Sequence, residues 1–357
     1  MSRTSAPRKD PSNGTWWFVV ELPLGPDGKR RQAKRRGFRT KADAQRALDE
    51  LRVDARQGTF VSLHRLTVKE YLEDEWLPAV RRQLAASTWE SYERNVRHHV
   101  VPAIGHVRLQ ALDGSDLNRL YEQLLTSGRK RGTQSPGLKP RTVRYIATII
   151  HKALDDAVKW RRTQINVANQ ATPPSAKSAK APEMKTWTAQ ELATFLDRTK
   201  GDRYGYAWSF LATTGCRRGE ALGLRWSDID LDARSASIRQ QVIPLPKPSG
   251  RGREGRIVSG TKGGEARVIE LDRRAVATLR AWRKTQTAER LSFRDDYQDN
   301  DLVFPRPDGR PFHPEAFSKT FDRRLRQDSY ADLPTIRLHD LRHTWATLAL
   351  EAGVDVA

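Results

Sequence analysis

Two hydrophobic periods alternate along this chain, and the points where one gives way to the other outline its elements. "TWWFVVEL", residues 15–22, is an unbroken aromatic and β-branched run, which predicts a strand. "GPDGK" then reads as a turn, in which Gly28 is free to take a positive φ. "RRQAKRRGF" predicts a second, very basic strand. The spacing becomes helical in "TKADAQRALDELRVDARQG", where Ala47, Leu48 and Leu51 form an apolar stripe. Thr40 is the expected N-cap, with Asp43 three residues on.

From about Leu66 to Val167 the pattern is helical throughout. "LTVKEYLEDEWLPAV" is amphipathic. "STWESYERNVRHHVVPAIG" predicts a helix opened by a Ser87–Glu90 capping box and ended by Pro102 and Gly105, with Trp89, Tyr92, Val96 and Val100 on one face. "DGSDLNRLYEQLL" is a third helix. A basic loop, "TSGRKRGTQSPGLKP", leads into "RTVRYIATIIHKALDDAVKW", in which Val143, Ile146, Ile150 and Leu154 make the buried stripe. "ANQATPPSAKSAKAPEMK" has no period and reads as a linker. Beyond it "TWTAQELATFL" opens with a Thr188–Glu191 capping pattern. Helices, short strands ("SASIRQQVI", "RIVSG", "ARVIEL") and further helices follow, an α+β order. The expected division is a small α+β domain at 1–62, an all-α domain at 63–167, a linker at 168–185 and an α+β domain at 186–357.

Charge sharpens this picture. Lys and Arg total 64 against 43 Asp and Glu, a formal charge of +21. Each phosphate that a Lys or Arg neutralises releases condensed counterions, so this excess favours a polyanionic partner, nucleic acid above all. A merely basic surface is the alternative, but the cations recur along the whole chain. Lys29, Arg30, Arg31, Lys34, Arg35 and Arg36 lie on the second strand or its turn, where they could enter a DNA major groove; an ordinary solvated hairpin is the alternative. Arg141, Arg144, Thr148 and Lys152 lie opposite the buried stripe of their helix, on a face suited to phosphates or base edges or else simply solvated. Cys216 is the single cysteine, so no disulfide forms within the chain. No metal-binding spacing is visible, and no cofactor is expected. "MSRTSAPRKD" lacks the apolar core of a signal peptide, and no apolar run approaches a membrane span. A soluble cytoplasmic protein with no membrane partner is expected.

The chemistry concentrates in two stretches. In "LATTGCRRGEALGLRW", Gly215 and Gly219 bracket Arg217 and Arg218, as a turn entering a helix would. Such a turn aims one guanidinium at a point in space, although a surface helix cap would look the same. In "RLHDLRHTWATL", His339 and Arg342 stand at i and i+3 and share a helical face. Lys262, in "SGTKGGEARVIEL", sits on an expected hairpin turn. Two arginines, a histidine and a lysine gathered on one phosphate fit phosphoryl transfer stabilised by side chains alone.

These stretches resemble the tyrosine recombinases of the phage-integrase type. "TTGCRRGEALGLRW" is similar to the family's first arginine box, and "LHDLRHTWATLALEAGVD" to its second. The likeness covers nearly the whole chain and implies a three-stranded arm-binding domain with one helix, a helical core-binding domain and a catalytic domain. It implies that Arg217 and Arg342 hold the scissile phosphate, His339 serves in proton transfer, Lys262 protonates the leaving 5′-oxygen and Glu220 positions the arginine turn. Arg218 is the variable neighbour. The family's nucleophilic tyrosine follows the second box, whereas Tyr330 precedes it, so the nucleophile is expected to be absent from residues 1–357. The reading is a recombinase of a mobile element that cuts and rejoins double-stranded DNA at attachment sites, as a homotetramer, with directionality factors as further partners. The alternative is a non-catalytic DNA-binding regulator or competitor at such sites. A metal-dependent nuclease is disfavoured by the lack of clustered carboxylates.

Overall fold

A computed structural model describes residues 6–22, 30–57, 64–128, 136–246, 253–260 and 266–354. It forms two compact units that meet between Ala181 and Pro182.

The first unit begins with a three-stranded antiparallel sheet, β1 (Arg8–Lys9), β2 (Trp16–Leu22) and β3 (Arg31–Phe38), in that order. Helix α1 (Lys41–Gln57) covers one face. Phe18 and Val20 of β2 are buried with Ala44 and Leu48 of α1. The Thr40 cap forms as the spacing requires, its hydroxyl oxygen accepting the Asp43 N–H at 3.1 Å. β1 is too short to carry a period of its own.

Four helices follow: α2 (residues 68–80), α3 (residues 86–104), α4 (Gly114–Ser127) and α5 (Pro140–Lys159). Val143, Ile146, Ile150 and Leu154 are all buried, as their spacing requires. Two details depart from the sequence reading. Pro102 does not end α3, which continues to Ile104. A proline ring clashes with the carbonyl four residues back; here the preceding turn is widened, and the Val101 N–H reaches the Val96 carbonyl five residues away. The same device surrounds Pro78, where Leu77 bonds Leu72. Nor is α3 opened by a Ser87–Glu90 box: Ser87 is already helical, and the cap, Ala85, offers no side chain.

The aperiodic stretch expected to be a linker is anchored over its first part. Thr172 donates its N–H to Asn118 Oδ1 at 2.7 Å, and Arg144 Nη1 donates to the Pro174 carbonyl at 2.8 Å.

In the second unit, helices α6 (Ala189–Arg198), α7 (Arg203–Thr214) and α8 (Arg218–Gly223) precede the strands, and α9 (Arg273–Phe293), α10 (Pro314–Leu325) and α11 (Asp340–Glu351) follow them. Strands β4 (Ile229–Asp230), β5 (Ser235–Ile238) and β8 (Arg267–Glu270) form one antiparallel sheet; β6 (Gln240–Pro246) and β7 (Arg253–Ser259) pair separately. The Thr188–Glu191 capping box opens α6 as expected. Behind these elements lies an aromatic core. Phe195 packs on Trp187, Trp208 and Phe321 at ring-centroid distances of 4.9, 5.8 and 5.4 Å.

Because Phe195 is fully buried at the centre of that cluster, Phe195→Ala should destabilise the second unit by roughly 3–5 kcal/mol. Denaturant unfolding followed by tryptophan fluorescence would measure this, and a loss below about 1 kcal/mol would show that the cluster is not a rigid core.

Candidate active site

The end of α7 and the start of α8 build the centre of the site. Gly215 terminates α7 in the left-handed region, with φ 61°. A side chain there would also overlap the Trp345 ring of α11, so glycine is required twice over. Arg217 is the residue from which α8 starts, and Glu220 is the third residue of that helix.

Glu220 has no exposed surface. Its carboxylate is nevertheless fully engaged. Oε2 accepts the Arg217 main-chain N–H at 2.9 Å, and Oε1 accepts Arg217 Nη1 at 2.9 Å. Arg267, from β8, adds a fork: Nη1 to Oε1 at 3.0 Å and Nη2 to Oε2 at 2.6 Å. Burial alone would raise the proton affinity of Glu220; the Arg267 fork and the Arg217 bonds overcome it and bring the pKa down to about 2.

Helix α11 delivers the second half of the site. Arg342 donates from Nη1 to the Gly215 carbonyl, which ties the second box to the turn of the first. Burial and the neighbouring Arg217 both act against the Arg342 charge, and Glu220, already shared by Arg217 and Arg267, offsets them only in part. His339 precedes α11, its ring edge-to-face with His343 at 5.1 Å. Burial, then His343 and Arg342, hold His339 below the ordinary imidazole range, so at neutral pH it is a neutral base. Asp340 anchors the same helix. It is 2% exposed and accepts the Arg337 N–H at 2.8 Å together with Arg337 Nε at 2.9 Å and Nη2 at 2.7 Å. The helix is pinned from behind by Thr344, whose Oγ1 accepts the Trp187 N–H at 3.1 Å.

The arrangement is thus a cationic patch of Arg217 and Arg342 with a neutral imidazole on the same helix as Arg342. It can bind a tetrahedral oxyanion and exchange one proton with it.

Three family models match the chain in succession: an arm DNA-binding domain over residues 7–55, the phage integrase N-terminal SAM-like domain over residues 67–125, and the phage integrase family over residues 184–357. The chain belongs to the phage integrase family. A tyrosine recombinase XerC-like protein of Caldanaerobacter subterraneus subsp. tengcongensis is 22% identical over 354 residues, 96% of this chain and 87% of that protein. The ICEBs1 integrase of Bacillus subtilis is 26% identical over 249 residues, 68% of this chain and 62% of its own. Among solved structures, the Tn1549 transposon integrase in complex with a circular intermediate DNA has a TM-score of 0.63 at 18% identity, covering 81% of this chain and 88% of its own. A lambda integrase tetramer bound to a Holliday junction has a TM-score of 0.58 at 14% identity, covering 98% and 92%. The fold of this phage integrase family member is therefore three-stranded sheet with helix, helical region and α+β domain, as read from the sequence.

Of the integrase residues expected from sequence, Arg217, Glu220 and Arg342 come together beside Gly215, and His339 stands at the start of the helix that carries Arg342. Lys262 and Lys29 lie outside the described residues. Arg218 donates to Ser318 Oγ of α10 at 2.6 Å and still acts on the charge of His339. On β3 the period of two separates the cations. Lys34 pairs with Val19 and sits 4.3 Å over the Trp17 ring, whereas Arg35 pairs with Phe18, on the face that α1 covers. Of the cations expected to enter a major groove, Lys34 and Arg36 lie on the open side, and Arg30 and Arg31 are exposed at the strand's start. Arg141 is exposed; Arg144 is tied to Pro174, and Lys152 lies 3.7 Å from Asp156 Oδ2. Sequence reasoning missed Arg267. Its one signal was an arginine beside Val268 in a strand whose inward positions turn out to be 267 and 269. Among the described residues no cluster of His, Cys, Asp and Glu could hold a metal ion, and no helix is long and apolar enough to cross a membrane.

The folded pKa of Glu220 lies below its ordinary value of 4.5. Its pairing therefore adds stability that is complete above that value and is lost as pH falls toward about 2. Glu220→Gln should cost roughly 3 kcal/mol at pH 7. The gap between the two proteins in denaturant unfolding should close through that acid window. A gap of constant size across it would mean that the carboxylate charge is not what holds the turn.

Proposed function

We propose that this chain is a site-specific DNA recombinase of a mobile element, and that Arg217, Arg342 and His339 form its phosphate-handling site. The observation that carries the reading is the Arg342–Gly215 bond, which brings the second guanidinium and its histidine onto the turn that aims the first. In this mechanism Arg217 and Arg342 hold the non-bridging oxygens of the scissile phosphate and stabilise the charge that builds on them. A tyrosine hydroxyl attacks phosphorus as its proton passes to His339. A 3′-phosphotyrosyl ester forms as the bond to the 5′-oxygen breaks, and Lys262 supplies the proton that the leaving oxygen takes. The ester retains the bond energy, so a 5′-hydroxyl can reverse the step on a new partner. Duplex DNA at attachment sites is the substrate. A homotetramer on a four-way junction is the proposed assembly, with directionality factors as further partners. Lys34, Arg36, Arg30 and Arg31 serve arm-type sites, and Arg141 the core site.

The nucleophile is proposed to lie outside residues 1–357. Tyr330 is a core aromatic, 3% exposed, with its hydroxyl donating to the Arg198 carbonyl at 3.3 Å. Tyr204 packs on Trp208 and Phe312, Tyr206 on Trp282, and the Tyr297 hydroxyl accepts from Gln286. These placements favour a second reading for residues 1–357 taken alone: a protein that binds recombination sites without cutting them.

A nicked suicide duplex carrying the element's own junction tests both. Residues 1–357 should bind it, with affinity falling roughly a thousandfold between low and moderate salt if on the order of ten phosphates are contacted. They should form no denaturant-resistant adduct. Extension through the downstream reading frame should restore the adduct, and Arg217→Ala or Arg342→Ala should then slow its formation about a hundred- to a thousandfold. Tyr330→Phe should leave cleavage intact and cost about 1 kcal/mol of stability. An adduct from residues 1–357 that disappears in Tyr330→Phe would overturn the assignment of the nucleophile.

A further inference from the structure

Strand β8 turns an arginine inward beside Ile269 and leaves a valine outside. Val268 points outward and is 68% exposed, while Arg267 is half-buried and reaches the fully buried Glu220. A solvated strand residue has no reason to do this, because desolvating a guanidinium is costly. The compensation is a bidentate pair, the strongest side-chain interaction available to an arginine.

The pair has a consequence for its neighbour. Arg217 touches Glu220 through only one side-chain nitrogen, and 42% of its side chain is exposed. One hydrogen bond sets a distance and leaves rotation free. It defines a direction only if the carboxylate that accepts it cannot turn. The Arg267 fork fixes that plane, since both oxygens are held by parallel bonds. Both terminal nitrogens of Arg267 are spent on this, so it has no fork left for a phosphate. Charge points the same way. With Glu220 shared between two guanidiniums, the cluster keeps a net positive charge beside Arg342. Were Arg267 absent, Glu220 would be free to take both terminal nitrogens of Arg217, cancelling its charge and drawing it back into the protein.

We propose that Arg267 is a positioning residue for strand cleavage: it locks the plane of the Glu220 carboxylate and so fixes the direction in which Arg217 meets the scissile phosphate. This rests on the reading of Arg217 and Arg342 as the phosphate clamp. Arg267 makes no contact with DNA in this role.

The test uses adduct formation on the nicked duplex by the protein extended through its nucleophile. Arg267→Met should slow it about a hundredfold, the cost of misplacing a reacting group by roughly an ångström, while duplex affinity at fixed salt stays close to unchanged. Glu220 keeps its burial and loses its fork, so its proton affinity rises. Cleavage should therefore fall further with acid than in the unsubstituted protein, where protonation of His339 alone sets the acid limb. Arg267→Lys keeps the charge without the fork and should remain well below the unsubstituted rate; if Arg267→Met fails to fold, this variant decides. In a Glu220→Gln background, Arg267→Met should add little, because the carboxylate through which it acts is gone. Equal slowing in both backgrounds would mean direct action on DNA and would overturn the proposal. So would full activity of Arg267→Lys, or of Arg267→Met. No adduct from the unsubstituted extended protein would instead sink the recombinase reading, and this role with it.

Discussion

One buried carboxylate holds the second unit's site together. Taking an ionised side chain out of water costs several kcal/mol unless its lone pairs are filled. Glu220 meets that condition with four donors, two from Arg217 beside it and two from Arg267, 47 residues further along the chain. The requirement acts in both directions. Arg217 and Arg267 would repel each other without the shared anion, and α8 and β8 would have no polar reason to meet. Arg342 then docks on the carbonyl of Gly215, the first residue of the turn whose other end, Arg217, Glu220 holds.

Asp340 repeats the device at the second box. It is buried in the first turn of α11 and holds Arg337 through three bonds. In both boxes an acid sits near a helix start, where the helix dipole also favours a negative charge. The difference lies in what the arginines face. Arg337 is exposed, and its carboxylate serves the helix; Arg217 is held so that its charge remains for something else.

Much of this was legible in the chain, for identifiable reasons. Helix α5 followed from four apolar residues at helical spacing, and the caps at Thr40 and Thr188 from a short polar residue with an acid three places on. These are local signals, and the structure has only to agree with them. Glu220, Arg217, His339 and Arg342 were found through two long boxes, because their neighbours in sequence are also their neighbours in space. What failed to show were features decided at a distance. Pro102 reads as a stop, but a widened turn accommodates it. Arg35 looks like one of a basic row until pairing with Phe18 assigns it a face. Arg267 looks like a solvated strand residue, and only the distant burial of Glu220 gives it a partner.

The bond between Trp187 and Thr344 spans 157 residues. It joins the first segment of the second unit to its last helix. At roughly 5–20 residues per second, a ribosome needs on the order of ten to thirty seconds to make the chain between them. For that time the aromatic cluster around Trp187 has no back wall. The longest side-chain bond described in the first unit, His64 to the Arg162 carbonyl, spans 98 residues, and both its partners are made before Trp187. Synthesis therefore delivers a finished helical body while its neighbour is still an open, apolar chain, and that interval is when a nascent molecule most needs a chaperone.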